Sequence, residues 1–269
     1  MHIFITGIAG FIGFHVAEAL LKRGNVVFGC DNFNSYYDPQ LKWDRAILLE
    51  KQGGRAYDMD IKNTSLIEKS IVDHKITHFV HLAAQAGVRH SITHPESYVS
   101  SNLDGFVQVM EVIRRHPQIP FIYASSSSVY GLNKKIPFSE TDPTDCPSSL
   151  YGATKKSNEL IAHAYHHLYG ISTTGLRFFT VYGPWGRPDM AYFSFARDIQ
   201  QGKPIKIFNQ GKMKRDFTYI DDIVAGTLAA IDLAAPCEIF NLGNHQPEEI
   251  LNLVALLEKG LGKTAIKEL

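Results

Sequence analysis

The chain has 269 residues, and its 27 lysines and arginines are balanced by 27 aspartates and glutamates, so the formal net charge is zero. This balance removes the usual electrostatic argument for a nucleic-acid partner or an anionic membrane surface, and we expect neither. A chain of this length can bury roughly 70–75% of its unfolded surface, which suffices for one large domain or two unequal ones.

The three cysteines, Cys30, Cys146 and Cys237, are widely spaced and form no CxxC pair. They are typical of free thiols in a reducing compartment. Met1 leads directly into a strand-like segment, without the basic and apolar regions of a secretory signal. No apolar run approaches the length of about 18 residues that spans a bilayer. We therefore predict a cytoplasmic protein.

The first residues follow the order strand, glycine-rich turn and helix. A β-rich run at 2–6 precedes GIAGFIG, and an amphipathic helix then continues to about residue 23. In this context Gly7 permits the tight turn, Gly10 the close approach of a pyrophosphate, and Gly13 the packing of helix on strand. The helix N-terminus attracts the anion. We predict a dinucleotide site; a glycine-rich turn without a ligand is the alternative.

The second strand, at 26–30, is followed by Asp31. It lies about 20 residues after the glycines, where an acid binds the adenosine ribose hydroxyls in such folds. A carboxylate there repels a 2′-phosphate, so NAD is favoured over NADP. Asp60, near the end of the next strand, is predicted to reach the adenine, although a solvated aspartate at a strand end is also consistent with the pattern.

Strand and helix patterns alternate along the chain, which indicates an α/β fold with a parallel, doubly wound sheet. The predicted strands are 55–60, 77–83, 121–125, 171–179, 204–208 and 238–243. The predicted helices are 41–51, 64–74, 96–116, 151–169, 190–201, 221–235 and 247–260.

Two polar motifs, SSSSVYG at 125–131 and YGATK at 151–155, contain the candidate catalytic residues. Tyr151 and Lys155 are four apart, so on a helix they share one face. A phenol has a pKa of about 10, which a nearby ammonium and the charge of an oxidised nicotinamide would lower. Parallel sheets bind ligands at the carboxyl ends of strands, where the serines lie. A polar turn and an ordinary surface helix are the simpler alternatives.

The motifs TGIAGFIG, HLAAQAGV, SSSSVYG and YGATK, in this order, resemble the extended short-chain dehydrogenase/reductase family, in its nucleotide-sugar epimerase branch. The resemblance extends over essentially the whole chain. It implies a bound NAD, a catalytic group of Tyr151, Lys155 and Ser126, and a UDP-sugar in a small C-terminal domain. Sugar 4,6-dehydratases of this fold carry Asp-Glu where Ser127 and Ser128 stand, so dehydration is not expected.

The segment RFFTVYGPWGRPDMA at 177–191 is similar to that of the UDP-glucuronate 4-epimerase subfamily. The resemblance implies that Thr180 and Arg187 hold the sugar carboxylate, and the planar fork of an arginine suits that group. A structural arginine in a proline-rich loop is the alternative. The resemblance also implies that Ile207 and Phe208 pack on the uracil and that Arg215 binds the phosphates of the UDP group.

The resemblance assigns two sets of binding residues. The predicted cofactor-binding residues are Gly7, Gly10, Phe11, Ile12, Gly13, Asp31, Asn32, Asp60, Ile61, Leu82, Ala83, Ala84, Tyr151 and Lys155. The predicted substrate-binding residues are Arg89, Ser127, Ser128, Thr180, Arg187, Ile207, Phe208 and Arg215. No metal is predicted, because the helically spaced His163, His166 and His167 lack a matching acidic or thiol cluster.

We predict an NAD-binding Rossmann domain at 1–180, which also receives segments of 217–243, and an interleaved nucleotide-sugar domain at 181–269 that is incomplete relative to the family. The predicted activity is that of an isomerase, the NAD-dependent 4-epimerisation of UDP-glucuronate to UDP-galacturonate through a transient 4-keto intermediate. A UDP-glucuronate decarboxylase, a 4-epimerase of UDP-N-acetylglucosamine or UDP-glucose, and a non-catalytic NAD-binding relative remain open. A homodimer is implied by the resemblance alone.

Overall fold

The computed structural model describes residues 1–268, which contain twelve strands and ten α-helices. The strands are β1 His2–Thr6, β2 Val26–Asp31, β3 Arg55–Asp58, β4 His78–His81, β5 Phe121–Ser126, β6 Thr173–Phe178, β7 Thr180–Tyr182, β8 Pro204–Lys206, β9 Lys214–Tyr219, β10 Cys237–Leu242, β11 Pro247–Glu249 and β12 Ile266–Glu268. The helices are α1 Phe11–Lys22, α2 Gln40–Lys51, α3 Thr64–Asp73, α4 His90–Thr93, α5 Pro95–Tyr98, α6 Gly105–Arg114, α7 Leu150–Tyr169, α8 Ala191–Gln200, α9 Ile220–Leu233 and α10 Ile250–Leu261.

Seven parallel strands form the main sheet, in the order β10-β6-β5-β4-β1-β2-β3. The strand order reverses direction between β1 and β4. Because βαβ crossovers are right-handed, the helices of the two halves cover opposite faces. The predicted α/β, doubly wound architecture is confirmed. Ligands bind such sheets beyond the carboxyl ends of the strands at the reversal, here beyond β1 and β4.

Aromatic side chains form the centre of the core on one face of this sheet. Phe4, Phe79 and Phe121 come from β1, β4 and β5, and neighbouring rings stack with centroids 5.3 Å and 5.9 Å apart. Apolar residues of α3, α6 and α7 complete the same cluster. Strands that are covered on both faces need continuous apolar runs, such as Ile3 to Ile5 of β1 and Phe121 to Tyr123 of β5.

The chain forms two compact units. The first contains Met1–Phe178 and Asp221–Leu242, and the second contains Phe179–Ile220 and the chain that follows Leu242. The second unit has a three-stranded sheet, β11-β9-β7, and a two-stranded sheet, β12-β8. Its own core includes Ile199, Ile207 and Val254. The assignment of these parts to cofactor and sugar stays a prediction, and Leu269, where the predicted sugar domain ends, lies outside the described residues.

Three sequence predictions of local structure need correction. The helix predicted at 96–116 is interrupted by a π-helical turn, Val99–Asp104. Pro247–Glu249 is not the first turn of a helix, because it pairs antiparallel with β9 and is held extended. The strands β7, β9 and β12 were not predicted: β7 and β12 have three residues each, too few to show an alternating pattern, and the charged start of β9 does not resemble a strand. Among residues 1–268, no helix combines the length and apolar character needed to cross a membrane.

Candidate active site

The glycine turn between β1 and α1 is shaped by close backbone contacts. Gly7 has a φ of +71°, and a Cβ there would lie 2.8 Å from the Ala83 backbone nitrogen. A Cβ on Gly13 would overlap the Gly7 carbonyl oxygen. Among residues 1–268, the only neighbour within 4 Å of a Cβ added to Gly10 is Gly7, whose carbonyl oxygen lies 3.0 Å away. The first and third glycines therefore serve the packing of the turn, whereas Gly10 leaves an open cradle at its surface.

The N-terminus of α1 lies at this cradle, and its first N–H groups have no intrahelical acceptor. The Phe14 N–H donates the first intrahelical bond, to the Gly10 carbonyl at 2.9 Å. The N–H groups of Phe11, Ile12 and Gly13 precede it, at the positive end of the helix dipole. This is the arrangement that binds a pyrophosphate.

Asp31 is buried at the end of β2, the neighbouring strand. Its carboxylate accepts the Phe33 N–H at 3.0 Å, and Lys42 Nζ lies 3.8 Å away. Burial raises the pKa of Asp31, which the charge of Lys42 opposes. Nearby, Asn32 Nδ2 donates to Asp60 Oδ2 at 2.9 Å. The predicted ribose and adenine residues thus lie together at one strand end.

The other side of the crevice follows β4. Gln85 Nε2 is buried and has no hydrogen-bond partner among residues 1–268. Thr6 Oγ1 bonds to His81 Nδ1 at 2.8 Å and accepts the Ala83 N–H at 3.3 Å, which joins the ends of β1 and β4. Burial lowers the pKa of His81 to about 3, with a further contribution from Lys155, so the imidazole is neutral. An open glycine cradle, a helix N-terminus and an unsatisfied buried amide fit the binding of NAD.

The helix α7 carries Tyr151 and Lys155. It begins after Ser149, whose Oγ accepts the Gly152 N–H at 3.0 Å and caps the helix. The half-buried ring of Tyr151 makes an edge contact with Tyr98, with centroids 6.1 Å apart. Lys155 is buried, and its Nζ donates to the Ala124 carbonyl of β5 at 2.8 Å. The predicted helix at 151–169 is confirmed to within one residue.

The serine turn packs directly against the start of α7. Ser126 ends β5, and its Oγ accepts the Ser128 N–H at 3.2 Å, which caps a 3₁₀ turn at Ser127–Tyr130. A Cβ on Gly152 would lie only 2.6 Å from the Ser128 carbonyl oxygen. The helical turn that carries Tyr151 therefore contacts the turn that Ser126 begins. The fold brings the three predicted catalytic residues to one end of β5.

Asn102 is a buried residue whose role the sequence did not reveal. Its Oδ1 accepts the Gln85 N–H at 2.8 Å, and its Nδ2 donates to the Gln85 carbonyl at 3.0 Å and to Thr154 Oγ1 at 3.1 Å. Its carbonyl accepts from Asn158 at 2.6 Å. The π-helical turn that holds Asn102, a feature frequent at functional sites, thereby joins the loop after β4 to α7. The helical periodicity of 96–116 contained no signal of this turn.

The remaining predicted residues of the first unit have varied exposure. Ser127 and Ser128 are half-buried, and Arg89 is exposed at the start of α4. Ile61 is buried against Gly105. The cofactor residues after β4 are consecutive and half-buried, namely Leu82, Ala83 and Ala84.

The other predicted substrate residues lie in the second unit. Thr180 begins β7, and the guanidinium of Arg187 donates to both carboxylate oxygens of Asp189, at 3.0 Å and 2.6 Å. Ile207 is buried in the core of this unit, whereas 49% of Phe208 is exposed. Arg215 lies exposed on β9.

No cluster of three His, Cys, Asp or Glu side chains suited to a metal occurs in residues 1–268. The helical histidines make other contacts: His166 Nδ1 bonds to the Ile171 carbonyl at 2.9 Å, and His163 Nδ1 lies 3.7 Å from Cys237 Sγ.

The burial of Lys155 predicts a dependence of stability on pH. Desolvation lowers its pKa from 10.5 to about 8. Between these values the unfolded chain binds more protons, so the free energy of unfolding rises with pH by roughly 3 kcal/mol from this group. Lys155→Met should lose that rise in urea unfolding at pH 7.5 and 10. Lys51→Met, at an exposed lysine, should keep the rise in the free energy of unfolding with pH. The same pH dependence of that free energy in both variants would contradict the prediction.

Comparison with known proteins agrees with this geometry. Residues 3–243 match the model of the NAD dependent epimerase/dehydratase family. The chain is 54% identical over 284 aligned positions to UDP-glucuronate 4-epimerase 4 of Arabidopsis thaliana; the match includes 99% of this chain, which spans only 65% of that relative.

Solved structures are also similar over the whole chain. UDP-glucuronic acid 4-epimerase from Bacillus cereus, in complex with UDP-glucuronic acid and NAD, has a TM-score of 0.92 at 39% identity, covering 100% of this chain and 85% of that one. UDP-glucose 4-epimerase from Thermotoga maritima, with UDP-glucose, has a TM-score of 0.87 at 29% identity with the same coverage. Together with the glycine cradle and the Tyr151 helix, these matches establish that the chain belongs to the NAD dependent epimerase/dehydratase family.

Proposed function

We propose that this chain is an isomerase that epimerises UDP-glucuronate to UDP-galacturonate at C4. The observation that carries the proposal is the attachment of the Tyr151 helix to the end of β5, through Lys155 and Gly152, beside Ser126. A phenol, an ammonium and a hydroxyl near the strand ends at which such parallel sheets bind ligands support this chemistry. The similarity to UDP-glucuronate 4-epimerases supports the choice of sugar.

Bound NAD would supply reversible hydride transfer, held by the glycine turn, the α1 N-terminus and Asp31. The phenolate of Tyr151 takes the proton of the sugar 4-hydroxyl, and Ser126 donates a hydrogen bond to the reacting oxygen. The ammonium of Lys155 stabilises the phenolate. General-base assistance of this kind contributes about 10²–10⁴-fold to the rate, and positioning supplies much of the rest.

The products of an incubation with UDP-glucuronate, identified by NMR, test this proposal. UDP-galacturonate is expected, with no change in total NADH after turnover. UDP-xylose with release of CO₂ would instead identify a decarboxylase. Turnover of UDP-N-acetylglucosamine or UDP-glucose without any turnover of UDP-glucuronate would assign a neutral sugar, and NAD that never becomes reduced with any of these sugars would identify a binding protein.

For the sugar carboxylate we propose Thr180 and Arg187 as ligands, with Ser127 and Ser128 assisting. The guanidinium of Arg187 donates two hydrogen bonds to the carboxylate of Asp189, in the bidentate geometry that would also suit the carboxylate of a uronate. We also propose that Arg89 and Arg215 meet the anionic groups of the substrate, and that Ile207 and Phe208 contact the uracil.

Arg187→Ala is expected to lower kcat/KM for UDP-glucuronate by about 10–100-fold, because a hydrogen-bonded charge contributes about 1.5–3 kcal/mol. Steady-state kinetics on UDP-glucuronate and UDP-glucose measure the selectivity. Arg197→Ala serves as the control, since its guanidinium pairs with the adjacent Asp198. Equal effects of Arg187→Ala on acidic and neutral sugars would exclude a carboxylate ligand.

We propose that the chain is a homodimer through residues 96–116 and the exposed face of α7. Leu160 and Leu168 are 59% and 64% exposed there and, eight residues apart, belong to the same side of the helix. Leu160→Asp with Leu168→Asp is expected to halve the mass measured by light scattering. Leu256→Asp, at another exposed leucine, should not change it; a parent that is already monomeric would contradict the proposal.

We also propose a cytoplasmic location. Cys30, Cys146 and Cys237 are free cysteines, as a reducing compartment allows. Fractionation of cells that produce the full-length protein tests the location, and recovery in a membrane or secreted fraction would contradict it.

A further inference from the structure

A buried ion pair, Arg177 with Glu159, lies beside the proposed catalytic residues and has no part in the mechanism above. Arg177 Nε donates to Glu159 Oε1 at 2.8 Å, and Nη2 donates to Oε2 at 2.8 Å. Only 3% and 2% of the two side chains are exposed. The pair joins β6 to the helix α7.

Each partner makes further bonds to the strand and turn that carry Ser126. Glu159 Oε1 accepts the Ser125 hydroxyl at 2.6 Å, and Ser125 stands opposite Arg177 in the sheet register. Arg177 Nη1 donates to the Tyr130 hydroxyl at 2.9 Å, and that hydroxyl donates to Asn241 Oδ1 at 2.7 Å. The pair therefore contacts the residue before Ser126 and the last residue of the serine turn.

Glu159 completes a series of attachments between α7 and the end of β5. Gly152 contacts the Ser128 carbonyl, Lys155 donates to the Ala124 carbonyl, and Glu159 accepts from Ser125. These positions are three and four residues apart, so successive helical turns are each attached near the strand end. The carboxylate that makes the third attachment is itself paired with the buried guanidinium of Arg177.

Stability alone does not explain such a pair. The cost of desolvating two charges offsets most of their attraction, and well-packed apolar replacements of buried pairs are often neutral or stabilising. The bidentate geometry does, however, fix distances and angles that apolar contacts leave free. We propose that Arg177 and Glu159 are positioning residues, which hold the Ser126 turn in register with the Tyr151 helix. This inference rests on the proposed function.

The double variant Arg177→Met/Glu159→Leu tests the inference. It is expected to fold and to bind NAD, but kcat on UDP-glucuronate should fall by about 10–100-fold with KM changed less than about 2-fold, because a displacement of about 1 Å costs up to 10²-fold. The matched control is Arg115→Met/Glu68→Leu, since this exposed pair has the same two bonds, both at 2.8 Å. An unchanged kcat in the Arg177/Glu159 variant would overturn the inference.

Ser125→Ala keeps the Arg177–Glu159 ion pair and removes only the hydrogen bond from Ser125 to Glu159. It therefore tests the positioning role if the double variant does not fold. We expect a fall in kcat of about 10-fold at constant KM. Equal kcat values for Ser125→Ala and the parent would overturn the inference.

Crystal structures separate this inference from the proposed function. In the NAD complex of the double variant, or of Ser125→Ala, the distance from Ser126 Oγ to Lys155 Nζ should change by about 1 Å relative to the parent. An unchanged distance would overturn the positioning role. If the parent does not turn over UDP-glucuronate, the proposed function fails, and this distance alone decides the inference.

Discussion

Tyr151→Phe is expected to lower kcat on UDP-glucuronate by about 10²–10⁴-fold, the typical contribution of a positioned general base. Phenylalanine keeps the edge contact with Tyr98 and the packing of α7, so the fold and the bound cofactor should be retained. Only the hydroxyl that exchanges the proton is lost. Steady-state turnover, with the NAD content of the purified protein measured by chromatography, gives both quantities.

Tyr165→Phe is the matched control for this variant. Tyr165 lies on the same helix, and its hydroxyl donates to Glu111 Oε1 at 2.7 Å, in a structural contact. Its loss should leave kcat within about 2-fold of the parent, because this bond joins α7 to α6 and not to a proposed catalytic residue; the expected loss of stability is about 1.5–3 kcal/mol. Normal turnover by Tyr151→Phe with NAD still bound would mean that another group is the base.

Arg177→Met alone is expected to lower the free energy of unfolding by about 3–5 kcal/mol, since it removes the bidentate partner of the buried Glu159 carboxylate and leaves Lys156 Nζ, 3.6 Å from Oε2, as a nearby cation. Adding Glu159→Leu removes the carboxylate and should restore most of the loss. Urea unfolding of the parent, the single variant and the double variant measures this coupling. If the single and double variants lose similar amounts of unfolding free energy, the loss comes from packing rather than from the broken ion pair.

Arg115→Met provides the exposed comparison. Its guanidinium makes two bonds to Glu68, as that of Arg177 does to Glu159, but about two fifths of the Arg115 side chain is exposed. Exposed pairs contribute about 0–1 kcal/mol. The two substitutions should therefore differ by several kcal/mol although the bond geometry is the same.

Local patterns predicted the elements that position the cofactor. The glycines and Asp31 lie within one strand-turn-helix-strand unit, β1 to β2, in which close backbone contacts select the glycines and the position at the end of β2 indicates the acid. The predicted helix at 151–169 agrees with Leu150–Tyr169 to within one residue, and a serine cap and a glycine with φ +69° mark its two ends. Such signals depend on neighbours in the chain, so they can be read without the fold.

Local sequence patterns did not predict the contacts between segments that are far apart in the chain. The strand Pro247–Glu249 exists because β9 supplies its hydrogen bonds, and the sequence resembles the start of a helix when that partner is not known. The π-helical turn around Asn102 similarly depends on partners at Gln85 and Thr154, one before it in the chain and one 52 residues later.

The amino-acid order thus specified the sheet class, the cofactor turn and the spacing of Tyr151 and Lys155, since each follows from backbone geometry and periodicity over a few residues. The burial of Lys155, the capping of the turn by Ser126 and the pairing of Arg177 with Glu159 were set by packing. Their physical cause is desolvation: a charge or hydroxyl removed from water must find a partner, and only the folded chain determines which one is within reach.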